Sequence, residues 1–299
     1  MIQELLSKLQ QGDAKALARS ISLVENEADG YEGLLQSLPH NPNKPVIGIT
    51  GPPGAGKSTL VDSLIGLLVS NGKKIGVLCV DPSSPFNLGS LLGDRIRMSK
   101  WYDNPNVFIR SLATRGSLGG LHPKIIEISD LMKAAPFDYI IVETVGVGQS
   151  EIEIAGLADV TVVVLVPEGG DEVQTMKAGL MEIADIFVVN KSDRPDADAF
   201  VKALRLMLAP AFNQQVEIPI VKTVAAAHGG MGELYGVLKK LLAEDRTNAK
   251  HAWLLAEKAY QLIQQHRMRG ISKEALAAQI TQTPDFNLYR FVTAYLNNG

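Results

Sequence analysis

The stretch that most constrains this chain is GPPGAGKST, residues 51–59, which lies between an apolar run and a helical pattern. It fits the phosphate-loop template G-x-x-x-x-G-K-S/T, with a strand (Val46–Thr50) before it and leucines at helical spacing after it. Glycines let successive N–H groups point inward as an anion nest, and the following helix adds its positive dipole end. Lys57 would reach the β- and γ-phosphates, and the Ser58 hydroxyl would bind Mg²⁺. The residues expected to bind the nucleotide phosphates are Gly51, Pro52, Pro53, Gly54, Ala55, Gly56, Lys57, Ser58 and Thr59.

Composition excludes several classes of protein. The chain has 299 residues, 46% of them hydrophobic and 20% charged, which is typical of a globular protein. Its net charge of −3 gives no indication of nucleic-acid binding. A single cysteine, Cys79, excludes a disulfide framework and favours a reducing compartment. The longest apolar run, Val160–Pro167, is too short to span a bilayer, and no secretory signal is visible. We therefore expect a cytoplasmic protein that binds neither nucleic acid nor membrane.

Three regions follow from the pattern of apolar residues and turn signals. Residues 1–44 show helical spacing and end in a linker rich in proline and asparagine, Pro39–Pro45. Residues 45–244 alternate apolar strands with helical patterns, which predicts an α/β domain built on a mostly parallel sheet. Residues 245–299 form a helical extension whose aromatic side chains either pack within the chain or, as we prefer, on a second subunit. These aromatic residues are Phe286, Tyr289, Phe291 and Tyr295.

Two strands end in carboxylates. The run at residues 73–80 is followed at once by Asp81. The run at residues 138–142 is followed at once by Glu143, which lies three residues before Gly146. In an open α/β sheet, ligands bind at the carboxyl ends of the strands. The second pattern therefore predicts a Walker B strand, in which Glu143 holds Mg²⁺ through water and the Gly146 N–H approaches the γ-phosphate.

Two glycine-containing loops leave their role open. A strand is predicted at Val107–Arg110. The residues after it predict a basic, flexible loop that either closes on a nucleotide or partner or is simply solvated, and this loop contains Arg110, Arg115, Gly116 and the Gly119–Gly120 pair. The polar stretch 167–177 is either a moving segment or a plain connection from a strand to a helix.

The motif N-K-x-D occurs at residues 190–193, directly after an apolar strand. The Asp193 carboxylate would accept hydrogen bonds from guanine N1–H and the exocyclic amine, a pair of donors that adenine lacks. Asn190 would either contact the O6/N7 edge of the base or brace the phosphate loop, and the Lys191 stem would lie along the base. This motif favours GTP or GDP over adenine nucleotides.

Together these residues resemble the methylmalonyl-CoA mutase-associated GTPases, the MeaB/ArgK family, which includes the human protein defective in the cblA type of methylmalonic aciduria. The resemblance covers most of the chain and is firmest from Pro45 to Asp193. The motifs that carry it are GPPGAGKST at 51–59, VDPSSP at 80–85, GSLLGDRIRM at 89–98, TRGSLGG at 114–120, ETVGVGQSE at 143–151, GGDEVQTMK at 169–177 and NKSD at 190–193.

The resemblance implies a SIMIBI-class P-loop GTPase with helical N- and C-terminal extensions, usually a homodimer through the C-terminal arm. It implies slow GTP hydrolysis and a chaperone role toward an adenosylcobalamin-dependent acyl-CoA mutase, in which the GTPase gates cofactor loading and protects the mutase. The mutase would act on methylmalonyl-CoA or on isobutyryl- or hydroxyisobutyryl-CoA.

The resemblance also implies roles for individual residues. It places Ser58, Asp81, Asp94 and Glu143 around Mg²⁺ and the attacking water, with the loops of Asp81 and Asp94 forming the first switch. Residues 146–149, ending in Gln149, correspond to a second switch. Asp171 and Lys177 correspond to a third switch that relays the nucleotide state to the mutase.

This chain departs from the family pattern at two places. Many members have Lys-Thr where it has Arg95-Ile96, so a polar contact at Ile96 is lost. The last guanine-binding loop, which begins at Val224, has Ala225-Ala226 in place of Ser-Ala. We expect its backbone contact to guanine O6 without the serine hydroxyl.

Three other functions remain open. A metallochaperone-type GTPase of the nickel-insertion kind would need histidine-rich or paired-cysteine segments, which are absent from the sequence. An ATP-driven kinase or transport-associated ATPase is disfavoured by the N-K-x-D motif. A non-enzymatic nucleotide-binding module would leave Glu143 and Asp81 without a task.

Overall fold

The structure is a computed structural model. It describes residues 2–39, 44–81, 98–114, 121–144, 150–169, 178–208, 217–244 and 249–297. Five predicted site residues lie outside these ranges, namely Asp94, Gly146, Gln149, Asp171 and Lys177. The chain divides into two compact units, residues 1–252 and 253–299. The predicted boundaries at 44/45 and 244/245 stay predictions.

The first unit is built on a parallel sheet. Its strands are β1 (Val46–Thr50), β2 (Ile75–Asp81), β3 (Val107–Ala113), β4 (Tyr139–Glu143), β5 (Val160–Leu165), β6 (Ile186–Val189) and β7 (Ile220–Lys222). They are hydrogen-bonded in the order β3-β2-β4-β1-β5-β6-β7, and every described pairing is parallel. This confirms the predicted α/β class.

Twelve helices are described. They are α1 (Ile2–Gln10), α2 (Ala14–Glu25), α3 (Tyr31–Gln36), α4 (Lys57–Ser70), α5 (Ile125–Ala134), α6 (Ser150–Leu157), α7 (Ala178–Ile183), α8 (Ala197–Leu208), α9 (Met231–Leu242), α10 (Ala249–Arg267), α11 (Lys273–Gln282) and α12 (Leu288–Asn297). Those up to α9 belong to the first unit, α10 begins in the first unit and continues into the second, and α11 and α12 belong to the second. None of the helices described is both long and apolar enough to cross a membrane.

The sheet is buried on both faces at its centre. Every residue of β1 and β5 is buried, as expected for parallel strands covered by helices. Leucines of α4 and α9, among them Leu60, Leu64 and Leu234, pack into the same core cluster as these strands. Because β1 lies between β4 and β5, the loop that follows β1 emerges at the middle of the sheet.

Two ion pairs attach the N-terminal helices to the sheet domain. Arg110 lies in β3, and its guanidinium donates to Glu25 Oε2 (2.7 Å) and Ser22 Oγ (3.2 Å) of α2. The predicted strand Val107–Arg110 is therefore confirmed and extends to Ala113, and Arg110 lies in this strand rather than in the basic loop that was also predicted to include it. The Lys124 ammonium, next to α5, forms an ion pair with Glu27 at 2.7 Å.

The second unit is helical, as predicted for the C-terminal extension. Within it, the Phe291 ring lies 5.7 Å from Phe286 and 6.1 Å from Tyr295, measured between ring centroids. Tyr289 instead is 82% exposed. Three of the aromatic rings thus contact one another, with Phe286 still 40% exposed, whereas the Tyr289 ring makes no ring contact among the described residues.

A glycine on β1 sets how closely α6 packs against the sheet. A β-carbon at Gly48 would lie 2.7 Å from Ile154 Cγ1 and 3.0 Å from Ala158 Cβ, so this position has no room for a side chain. We expect Gly48→Ala to lower the free energy of unfolding by about 1–3 kcal/mol. Thermal unfolding measures this as a fall in Tm of about 2–4 °C per kcal/mol.

The matched control for this prediction is Gly236→Ala. Gly236 lies inside α9, where an added β-carbon meets nothing within 4 Å. Alanine favours a helix over glycine by about 1 kcal/mol, so this variant should be more stable than the wild type. Equal Tm values for the two variants would contradict the proposed close packing of α6 on β1.

Candidate functional site

The phosphate loop is built from left-handed glycines. Gly51, Gly54 and Gly56 have φ angles of 140°, 78° and 87°. A β-carbon at Gly51 would lie 2.1 Å from the Val164 carbonyl oxygen, and one at Gly56 would lie 2.4 Å from Asn190 Nδ2. These two positions therefore admit only glycine. At Gly54 an added β-carbon meets nothing within 4 Å, so the loop is open on that side.

Lys57 is held inside the loop. It is the first residue of α4, and its ammonium donates to the carbonyl oxygens of Gly51 (2.9 Å) and Pro52 (3.1 Å). Its side chain is 7% exposed. The loop therefore already contains the cation that a phosphate would meet. This cation lies at the N-terminal end of α4, where the helix dipole is also positive.

Ser58 and Glu143 meet at the carboxyl end of the sheet. The Ser58 hydroxyl donates to Glu143 Oε1 at 2.7 Å, and both residues are largely buried. A hydroxyl and a carboxylate supply the hard oxygen ligands that Mg²⁺ prefers. Asp81 ends the neighbouring strand, two positions beyond Cys79, which is paired with Glu143 in the register of β2 and β4.

The wider metal-ligand set is only partly described. Among the described residues, no three His, Cys, Asp or Glu side chains gather into a metal-binding group. The Asp81 side chain and the whole of Asp94 lie outside the described part of the chain. The pair formed by Ser58 and Glu143 fits one side of a magnesium site.

A pair of threonines joins the two strands that carry the phosphate-binding groups. The Thr144 hydroxyl donates to Thr50 Oγ1 at 2.9 Å, and the Thr144 N–H donates to the Ile49 carbonyl at 3.0 Å. The pairing of β4 with β1 therefore continues one residue beyond Glu143. The contact holds Thr144 against β1. Sequence reasoning missed Thr144, although its place directly after Glu143 was a signal.

Asn190 braces the loops of the site. Its amide donates to the Ala55 carbonyl at 3.0 Å, and its Oδ1 accepts from Thr223 Oγ1 and the Ala225 N–H, both at 3.1 Å. Of the two roles left open by the sequence, the geometry corresponds to bracing the phosphate loop. The Lys191 ammonium supports the same loop by donating to the Gly54 carbonyl at 2.9 Å.

Asp193 stands in an exposed turn beside this braced region. The Arg194 N–H donates to the Lys191 carbonyl at 3.1 Å, which closes the turn, and the Ser192 N–H donates to the Thr223 carbonyl at 3.0 Å. The guanidinium of Arg194 also forms an ion pair with Glu168. The carboxylate of Asp193 is therefore carried on a fixed backbone and is open to solvent.

The loop after β7 completes the site. Val224 and Gly229 exchange two backbone hydrogen bonds, at 3.0 and 3.1 Å, and enclose a short 3₁₀ turn at Ala225–Ala227. Ala225 is buried and Ala226 is exposed. Ala226 therefore lies at the surface, directly after Ala225, whose N–H is bonded to Asn190.

The residues predicted to serve the phosphates and the metal, Lys57, Ser58 and Glu143, thus form one end of the candidate site. The exposed residues Asp193 and Ala226 form its other end. Asn190 and Lys191 connect the two ends through their bonds to the phosphate loop. An elongated ligand with an anionic end and a flat, hydrogen-bonding end, such as a nucleotide, suits this layout.

Comparison with known proteins agrees with this layout. The family described as methylmalonyl Co-A mutase-associated GTPase MeaB matches residues 17–284. A relative in Pyrococcus abyssi is 49% identical over 245 residues, which make up 80% of this chain and 76% of that protein. The methylmalonic aciduria type A homolog, mitochondrial, of Mus musculus is 36% identical over 262 residues, 80% of this chain and 62% of that protein.

A solved structure shares the fold. The crystal structure of a protein named LAO/AO transport system kinase superposes with a TM-score of 0.66 and 26% identity. The superposition covers 99% of this chain and 92% of that one. The family match spans well over half of the chain, so this protein belongs to the MeaB family of methylmalonyl-CoA mutase-associated GTPases and is a GTPase.

Proposed function

We propose that this GTPase is a chaperone of an adenosylcobalamin-dependent acyl-CoA mutase, whose cofactor loading it gates and which it protects from inactivation. The observation that carries the proposal is the match of residues 17–284 to a family whose description names methylmalonyl-CoA mutase. The name of the mouse relative, which refers to methylmalonic aciduria, supports the same partner class.

Hydrolysis in this proposal depends on Mg²⁺ held by Ser58 and, through water, by Glu143, together with Asp81 and Asp94. The short contact between Ser58 Oγ and Glu143 Oε1 supports this assignment. When bound, the metal neutralises charge on the phosphate oxygens. Lys57 binds the β- and γ-phosphates. Neither the sequence motifs nor the described part of the chain identifies a catalytic glutamine or an arginine finger, so we expect slow intrinsic turnover that the partner accelerates.

Nucleotide state is transmitted by segments that begin at the site. Residues 146–149, which include Gly146 and Gln149, follow β4 and its anchor at Thr144. Asp171 and Lys177 follow the turn at Pro167–Gly169. Bound γ-phosphate orders such segments and hydrolysis releases them, which changes the surface that the mutase meets.

The C-terminal unit is proposed to be the homodimerisation arm. Large apolar side chains on α10 and α12 are exposed, and such a patch is typical of a protein interface. They include Trp253 at 67%, Tyr260 at 65%, Tyr289 at 82% and Leu296 at 73% exposure.

The test measures hydrolysis of GTP and ATP with and without a purified adenosylcobalamin-dependent mutase from the same organism. We expect at least about 100-fold preference for GTP in kcat/KM and a mutase-dependent rise in GTP turnover of about tenfold or more.

The structural neighbour, named as a transport system kinase, raises a second candidate, a transport-associated kinase. Equal use of ATP, with no response to the mutase, would favour that candidate and contradict the chaperone proposal.

A further inference from the structure

Ser63 has an unusual bond for a serine inside a helix. It lies on α4, six residues after Lys57, and is 2% exposed. Serine in a helix commonly turns back to the carbonyl four residues earlier. Here its hydroxyl instead donates to the Ala225 carbonyl at 2.5 Å, across 162 residues of sequence.

Ala225 is consequently held through both of its peptide groups. Its N–H donates to Asn190 Oδ1 at 3.1 Å, and its carbonyl accepts from Ser63 and from the His228 N–H. Asn190 reaches this loop from the end of β6, and Ser63 reaches it from α4. The next three residues, Ala226 to His228, are exposed.

The contact joins the two ends of the nucleotide site. The first turn of α4 carries Lys57 and Ser58, which serve the phosphates, and the second turn carries Ser63. A bond from Ser63 to Ala225 therefore sets the distance between the phosphate-binding end and the loop at the base-binding end. The loop has Ala225 where many family members have a serine, so it lacks that hydroxyl as a source of hydrogen bonds. The hydrogen bond from Ser63 is therefore more important for holding the loop in place.

We infer that Ser63 is a positioning residue for guanine recognition, which holds the Ala226 N–H where it can donate to guanine O6. This inference rests on the proposed guanine site and assigns to it a residue outside the N-K-x-D motif and outside the phosphate loop. Recognition of the guanine base is then divided between two parts of the site. Asp193 reads the N1–H and 2-amino donors, and the loop held by Ser63 reads O6.

The test uses Ser63→Ala with GTP, ITP and ATP as substrates. Inosine keeps O6 and loses the 2-amino group, whereas adenine lacks O6. We expect KM to rise roughly fivefold for GTP and for ITP alike, with KM for ATP and all kcat values within twofold of the wild type. Lys57, Ser58 and Glu143 are untouched, which is why kcat should not change.

Two further variants separate positioning from packing. Ser63→Cys fills the same space but is a weak donor, so it should show the same rise in KM as Ser63→Ala. Ser70→Ala is the matched control, because Ser70 is an exposed serine on the same helix that donates to the Leu67 carbonyl at 2.7 Å. It should behave like the wild type.

The possible results are distinct. A GTP KM within twofold of the wild type in Ser63→Ala, an equal rise for ATP, or normal behaviour of Ser63→Cys would each overturn the role of Ser63 while leaving the guanine site intact. A wild-type protein that does not prefer GTP to ATP would overturn the proposed guanine site and this inference with it.

Discussion

Glu143→Gln is expected to lower the rate of GTP hydrolysis about 100-fold or more while changing GTP affinity by less than about threefold. Glutamine keeps an oxygen that accepts from the Ser58 hydroxyl, now bonded to Glu143 Oε1 at 2.7 Å. It loses the negative charge that would hold Mg²⁺ through water. The variant therefore removes electrostatic support for the metal with little change of shape.

Single-turnover hydrolysis at saturating GTP, repeated over a series of Mg²⁺ concentrations, measures this effect. The Mg²⁺ concentration needed for half-maximal rate should rise together with the loss of rate. Folding is not expected to suffer, because the substitution removes a charge that is 3% exposed and keeps the hydrogen bond.

A matched control is Glu25→Gln. Glu25 is also a largely buried glutamate, but it is paired with Arg110 at 2.7 Å where α2 attaches to the sheet. Its replacement should lower Tm and leave kcat unchanged. Turnover by Glu143→Gln within threefold of the wild type would exclude Glu143 from the hydrolytic machinery.

The parallel sheet was predictable because its central strands are apolar along most of their length. Val46–Thr50 and Val160–Val166 are largely apolar runs of strand length, as expected for parallel strands that are covered on both faces. The phosphate-loop template then placed a helix after β1. Residue patterns do not predict the strand order, since adjacency in a sheet depends on tertiary packing.

Arg110 shows what local pattern reading misses. The sequence placed it both at the end of a predicted strand, Val107–Arg110, and in the basic loop that follows, and the structure places it inside β3. Its ion-pair partner, Glu25, lies 85 residues earlier in the chain, and the sequence did not indicate this contact. Long-range ion pairs of this kind have no periodicity or spacing from which they can be recognised.

The residues of the candidate site likewise fall into those that a local motif predicts and those that depend on tertiary contacts. Gly51, Lys57 and Ser58 were predictable because their positions in one short motif follow from phosphate chemistry. Ser63 and Thr223 were not, because each acts through a partner brought near only by the fold. For Asn190 the sequence left two roles open, since both use the same amide, and only its partners distinguish them.

Asp193→Asn is expected to exchange the base preference of the protein from guanine to xanthine. The Asp193 carboxylate offers two acceptors, which match guanine N1–H and its 2-amino group. The asparagine amide offers one acceptor and one donor, which match xanthine N1–H and its 2-oxo group. GTP affinity should fall roughly 100-fold or more, because a donor on the base would then face a donor on the protein.

The fold should accept this change, because Asp193 is exposed and the turn is closed by backbone bonds from Ser192 and Arg194. Asp196→Asn is the control, with the same chemical change three residues away at a left-handed φ of 66° that asparagine tolerates. Calorimetric titration with GDP and XDP measures both variants. We expect Asp193→Asn to bind XDP more tightly than GDP and Asp196→Asn to keep the wild-type order. If Asp193→Asn still preferred GDP, the base would be read elsewhere, and the exposed end of the site would need a different ligand.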